Sequence, residues 1–153
     1  MEQVKAITTE QETETAVQYI VVRIGNEQYG IKYIDNIVRN QKITRVPKTQ
    51  TYYKGVINLR GEIIPVMSIR LKLGLEDDEF TDKTRIIIVK IEGATIGVIV
   101  DQVREVVTLD DDNTEKITRT SRDDAASGYI SSIGKSKGEL ISLLDIVGLI
   151  VEN

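Results

Sequence analysis

The 153-residue chain reads as an all-β protein of two small barrels packed together, with a short C-terminal helix. Three observations lead there. Apolar residues come in short runs dominated by Ile and Val, the residues that suit a pleated strand. Gly, Asn, Asp and Lys interrupt these runs at short intervals, as turns between strands do. The pattern is also duplicated. YIVVRIGNEQYGIKYI echoes RIIIVKIEGATIGVIV, with Gly30 and Gly97 in equivalent places, and GEIIPVMSI echoes GELISLLDI in the same order downstream. Two copies of one small β unit, each about 65–75 residues by this alignment, pack as two small barrels.

Met1–Thr15 is polar and aperiodic and reads as a flexible tail, leaving residues 16–153 as the folded domain. Tyr19–Ile24 and Tyr29–Ile34 are the first two strands, and YIDNIV (Tyr33–Val38) follows them. TRVPKTQTYY (Thr44–Tyr53) is a loop around Pro47. Gly55–Leu59 and Glu62–Ile69 are strands on either side of Arg60-Gly61; Gly55 and Gly61 supply backbone freedom, and Pro65 suits an edge or a bulge because it cannot donate to a ladder. LEDDEFTDKT (Leu75–Thr84) is an acidic linker between the units, and Asp77-Asp78-Glu79 reads as solvated. The second unit repeats the order: Arg85–Ile91, Thr95–Val100, then DQVREVV, which loosely resembles YIDNIV. Leu109–Gly128 is polar throughout and reads as one long mobile loop. A G-x-I at Gly128–Ile130 matches the one at Gly55–Ile57. From Leu144 the apolar spacing allows a short terminal helix, against which Gly148 argues.

The residue inventory excludes most catalytic chemistry. With no Cys there is no disulfide or thiolate metal site, and with no His the commonest general base and metal ligand is missing. Gly55 to Gly61 lacks the spacing and the Lys-Ser/Thr of a phosphate loop, and before Gly134-Lys135-Ser136 the required glycine is Tyr129. Counted as a calcium loop from Asp110, the sixth and twelfth positions are Glu115 and Ser121, not Gly and Glu. No G-x-S-x-G appears. Aromatics are 5% of residues with no Trp, and the net charge is −4, a poor balance for a nucleic-acid-binding barrel. No catalytic residue, metal or cofactor is expected. No apolar run approaches a bilayer span, so the chain is expected to be soluble and cytoplasmic. With 24 acids in the chain, a small enzyme with an all-carboxylate site stays open, but no motif stands behind it, and a binding module is the favoured class. It would meet partners through exposed aliphatic residues, sheet edges and a few placed charges.

KGVINLRGEIIPV (Lys54–Val66), with QYGI at Gln28–Ile31 and IGVIVDQV at Ile96–Val103, closely resembles the bacterial chemotaxis coupling protein family, CheW. The resemblance runs from about Val17 to the C-terminus. It implies two five-stranded SH3-like barrels, with strands exchanged between the halves, and no enzymatic activity. It implies an adaptor, monomeric alone, that links the cytoplasmic helical tip of a chemoreceptor to the regulatory domain of the histidine kinase CheA. Adaptor and kinase domains would alternate in rings at membrane-associated arrays. A related adaptor serving another pathway, such as surface motility, is the alternative. Residue by residue, the resemblance implies receptor contact at Arg60, Asn36, Val103 and Val106, and kinase contact at Ile34 and Gly55. Asn36 stands where the family has a glutamate, and Ser68 where it has an acid, which puts a Ser68-side salt bridge to Arg70 in doubt. Arg60 itself has two readings: a guanidinium held by an internal ion pair that pins the loop, or one presented to the receptor.

Overall fold

The protein is described here by a computed structural model covering residues 16–32, 34–117 and 126–151. The N-terminal tail expected over residues 1–15 lies outside them, as do residues 118–125 of the expected long loop. In chain order, β1 (Val17–Ile24) and β2 (Glu27–Ile31) form a hairpin, followed by β3 (Ile34–Val38), β4 (Tyr53–Leu59), β5 (Glu62–Ser68) and a one-turn helix α1 (Ile69–Lys72). The second half repeats this with β6 (Arg85–Ile91), β7 (Ala94–Val100), β8 (Gln102–Leu109), β9 (Thr114–Lys116), β10 (Ile130–Ser136), β11 (Glu139–Leu144) and α2 (Ile146–Val151).

Each leading hairpin pairs with the other half of the chain. One sheet runs β3-β6-β7-β5-β4, the other β8-β1-β2-β11-β10-β9. In each, the hairpin meets its partner through one parallel pairing, β5 with β7 or β11 with β2. Both sheets curl shut in the same way. The chain leaving β3 returns at Thr44 to bridge Val56 of β4, and the chain leaving β8 returns as β9 beside β10. Closure of the second barrel brings Leu109 of β8 against β10, where a Cβ on Gly134 would lie 2.5 Å from the Leu109 Cδ1.

This exchange explains why the hairpin strands are apolar at consecutive positions. Tyr19 and Val21 point into one barrel with Val107, Leu109, Ile141 and Leu143, while Ile20 and Val22 point into the core between the barrels. On β6, Ile86 and Ile88 fill the other barrel, and Ile87 and Val89 join the shared core. A strand buried on both faces cannot alternate apolar with polar. Gly30 and Gly97, equivalent in sequence, are equivalent in space. A Cβ on either would lie 2.7 Å from Leu143 Cδ2 or 2.8 Å from Ile86 Cγ2, so both positions are closed by packing inside a barrel.

Four expectations change. The second strand does not run on to Ile34, because β2 ends at Ile31 and Ile34 opens the separate strand β3. The stretch 109–128 is not one loop, because β8 runs to Leu109, Asp110 accepts from the Asp112 and Asn113 amides to cap a 3-10 turn, and β9 follows. The G-x-I echo fails in space. Bulges fall between Tyr53 and Gly55 and between Ile130 and Ser132, so Ser132 is the counterpart of Gly55, and Gly128 lies in a separate 3-10 turn. The terminal helix starts at Ile146 rather than Leu144, because Asp145 caps it: its Oδ1 accepts from Gly148 N at 3.1 Å, and a Cβ on Gly148 would sit 2.6 Å from its Oδ2.

Candidate functional site: two edge strands and a hairpin tip

Strands β3 and β8 occupy the same place in the two sheets, each hydrogen-bonded to the first strand of an exchanged hairpin. Matching the ladders aligns their residues. Ile34 opposes Val89 and Val103 opposes Val22; Asn36 opposes Ile88 and Glu105 opposes Val21; Ile37 opposes Ile87 and Val106 opposes Ile20. Both strands carry a bulge after the first of these positions. Ile34 and Val103 are therefore counterparts, half-buried, and both pack against the core shared by the barrels. Val106 is 58% exposed and Ile37, its counterpart, 38%. Asn36 is half-buried and turns its Oδ1 back to accept the Ile37 amide at 2.8 Å, covering a donor of its own strand. Ile37 was not singled out from the sequence; the repeat of YIDNIV in DQVREVV was the available signal.

Gly55 and Arg60 lie elsewhere, on β4 and the β4–β5 turn, at the far end of that sheet from β3. Gly55 is buried with φ +137°. A Cβ there would collide with the Thr44 carbonyl, its carbon 2.8 Å away, where Thr44 pairs with Val56 in closing the barrel. Arg60 and Gly61 are the two central residues of a tight hairpin turn, with φ of 53° and 84°. Left-handed geometry at both matches a type I′ turn, which favours Asn-Gly and places a side-chain cost on anything larger at the first position. The same turn recurs at Glu92-Gly93 and Lys137-Gly138. Asn58 fixes it by accepting the Gly61 amide at 3.0 Å. Arg60 is exposed and forms no ion pair or hydrogen bond among the described residues, so the internal-pairing reading is corrected: the guanidinium is not what pins the turn.

The ion pair that does join the structure is one the sequence did not single out. Arg70 of α1 grips Asp101 with two hydrogen bonds, Nε to Oδ1 at 2.9 Å and Nη2 to Oδ2 at 2.7 Å. Asp101 also accepts the Gly25 amide at 2.8 Å, and its own amide donates to Arg23 O at 3.1 Å. It thereby ties the end of β7 to the β1–β2 turn in the other sheet. Burial alone would raise the Asp101 carboxyl, but the Arg70 and Gly25 hydrogen bonds outweigh it and hold the pKa below the ordinary value. Arg70 rises in turn, chiefly through its hydrogen bond to Asp101. Ser68 does not need an acid: fully buried, it caps α1 by accepting the Leu71 amide at 3.1 Å.

The linker acids are not uniformly solvated. Asp77 is exposed and pairs with Lys54 at 2.7 Å. Asp78 turns its carboxyl inward, both oxygens shielded from solvent with no hydrogen-bond partner among the described residues. Burial pushes its pKa up, against the weaker opposing pull of the nearby Ser68 hydroxyl and Lys54. Among the described residues no three His, Cys, Asp or Glu side chains gather as a metal site, and no helix is long and apolar enough to cross a membrane.

The CheW-like domain profile matches residues 18–153, nearly the whole chain. The chain belongs to the CheW-like family. The chemotaxis protein CheW of Bacillus subtilis is 35% identical over 88% of this chain and 86% of its own length. CheW of Helicobacter pylori is 31% identical over 90% of this chain and 83% of its own. The crystal structure of the scaffolding protein TtCheW from Thermoanaerobacter tengcongensis superposes with a TM-score of 0.80 at 31% identity, covering 90% of this chain and 94% of that one. The all-β, two-barrel fold expected from the sequence is the fold of this family.

Proposed function

We propose that the protein is a non-enzymatic adaptor that couples the cytoplasmic helical tip of a chemoreceptor to the regulatory domain of the histidine kinase CheA. The observation that carries this reading is the exposed Val106 on an edge strand beside half-buried Val103, an apolar anchor at the border of the inter-barrel core. An amphipathic helix lays its apolar face on such anchors, and polar neighbours set its register. Family membership and a relative described as a scaffolding protein support the same reading. The absence of any His or Cys in the sequence favours binding over catalysis. In this reading Val103, Val106, Asn36 and Arg60 face the receptor and Ile34 faces the kinase. Gly55, buried and without a side chain, acts on kinase contact through the path of β4. The adaptor works in the cytoplasm at receptor arrays, in rings with the kinase. Pairwise affinities in the micromolar range, about −8 kcal/mol, suffice when many sites act together.

Val106→Asp tests the reading. The side chain is exposed, so the substitution is expected to change stability by no more than about 0.5 kcal/mol. Co-sedimentation with a receptor cytoplasmic fragment should nevertheless fall sharply. Undiminished co-sedimentation of a folded variant would remove Val106 from the interface and, with it, the main support for the receptor-facing surface. Capture of a different receptor–kinase pair from the native cell, with no binding to chemoreceptor fragments, would assign the adaptor to another pathway.

A further inference from the structure

Between Asn36 and Gly61 the sequence carries Arg39, Lys42, Arg45, Lys48, Lys54 and Arg60 and no acid, in a chain whose net charge is −4. Part of this basic segment folds into a cleft. Residues 45–51, with Tyr53, Lys54, Leu71 and Asp77, enclose a hollow of about 340 Å³. Arg45 and Lys48 are exposed and make no ion pair among the described residues; Lys54 is half-buried and reaches Asp77 at 2.7 Å. A carboxylate from the chain's own linker thus already sits on one of the three cations, with the other two left open.

We propose that this cleft binds an acidic, extended peptide segment of a partner protein, and that Asp77 is its internal competitor. The cleft's own occupant gives the chemistry: a carboxylate carried on a linker that is neither helix nor strand, Leu75–Phe80. Three cations against one acid leave a positive surplus in the cleft, which favours an anionic partner. Thr49, Gln50 and Thr51 line it with groups that hydrogen-bond a peptide, and the exposed Val46 and Pro47 add apolar contact. Nucleic acid fits less well, because the chain as a whole is acidic and only one aromatic, Tyr53, lines the cleft to stack on a base. The inference is independent of the receptor-facing strand β8, so its failure leaves the Val106 test untouched.

Fluorescence anisotropy with labelled hexaglutamate at low ionic strength tests it on the full chain. The wild-type protein is expected to bind, and to lose most of that binding at about 0.15 M salt. Asp77→Asn, which removes the competitor, should bind about threefold more tightly, the worth of one exposed ion pair. The double variant R45E/K48E should lose at least about tenfold. K83E/K90E, the same charge change at two exposed lysines elsewhere, should stay within about twofold. The proposal is overturned if hexaglutamine binds as well as hexaglutamate, or if Asp77→Asn binds no more tightly. It also falls if K83E/K90E loses as much as R45E/K48E while both retain the wild-type circular dichroism, or if a thymidine oligonucleotide outcompetes the acidic peptide.

Discussion

Replacing Arg60 by Asn separates a residue that holds the fold from one that is displayed by it. The guanidinium touches no partner among the described residues, so its removal breaks no ion pair or hydrogen bond. What the residue does bring is backbone strain, because a φ of 53° lies in the left-handed region. That region costs an ordinary L-residue roughly 1–2 kcal/mol, and Asn, whose short side chain bonds locally, about a kilocalorie less. Asn followed by Gly is also the preferred pair at the centre of this turn, and Asn58 still accepts the Gly61 amide. Arg60→Asn should therefore be neutral to stabilising, by up to about 1 kcal/mol, or up to about 2–4 °C in Tm for a domain of this size. Gly61→Ala is the control. Nothing stands within 4 Å of the added Cβ, yet φ is 84°, so it should lose about 1 kcal/mol through strain alone. Scanning calorimetry reads the stability, and co-sedimentation with receptor fragment and kinase reads the coupling. A drop in Tm of several degrees for Arg60→Asn would refute the account of the turn, since it would reveal an internal partner. An unchanged Tm with unchanged coupling would refute the role given to the side chain.

Gly97→Ala, whose Cβ would lie 2.8 Å from Ile86 Cγ2 and 3.4 Å from Val66 Cγ2, should lose about 1–3 kcal/mol in urea denaturation, and Gly30→Ala a similar amount. Gly148→Ala should reverse the usual gain of Ala over Gly in a helix, because the new Cβ displaces the Asp145 cap; a higher Tm than wild type would sink that reading. Asp101 contributes stability that is complete above the unfolded carboxylate value of about 3.9 and is lost as pH falls through its lower folded value. Asp101→Asn should thus weaken the protein at pH 7 and flatten the acid limb of its stability–pH curve. Asp78 has the opposite sign: its raised pKa favours the folded state in acid, and that advantage is lost as pH rises through the folded value, so Asp78→Asn should raise Tm at pH 7.

Fold class was legible because strand patterns are local. Runs of Ile and Val between turn residues, twice in one order, specify strands and their repeat whatever lies opposite them. The motif around Arg60 was equally legible as a turn, since Gly61 permits what few residues do. The candidate site strands were only half legible. The family resemblance drew attention to Val103 and Val106, whereas Ile37 had only the loose repeat of YIDNIV in DQVREVV behind it, a match that the ladders and the equivalent bulges of β3 and β8 fix.

The order of strand types, the duplicated unit, the turn glycines and the absence of His and Cys chemistry were all set by the sequence alone, because each depends on residue identity and near-neighbour spacing. Tertiary structure decided the rest. It sent each leading hairpin into the opposite sheet, so that consecutive residues of β1 and β6 serve two different cores. It paired Arg70 with Asp101, thirty-one residues on, and left Arg60 without an ion pair among the described residues. It also divided two adjacent linker acids between a lysine and the interior. Such pairings depend on which surfaces meet once the chain has closed on itself. Side chains far apart in sequence then compete for the same few partners, and local pattern carries no record of the outcome.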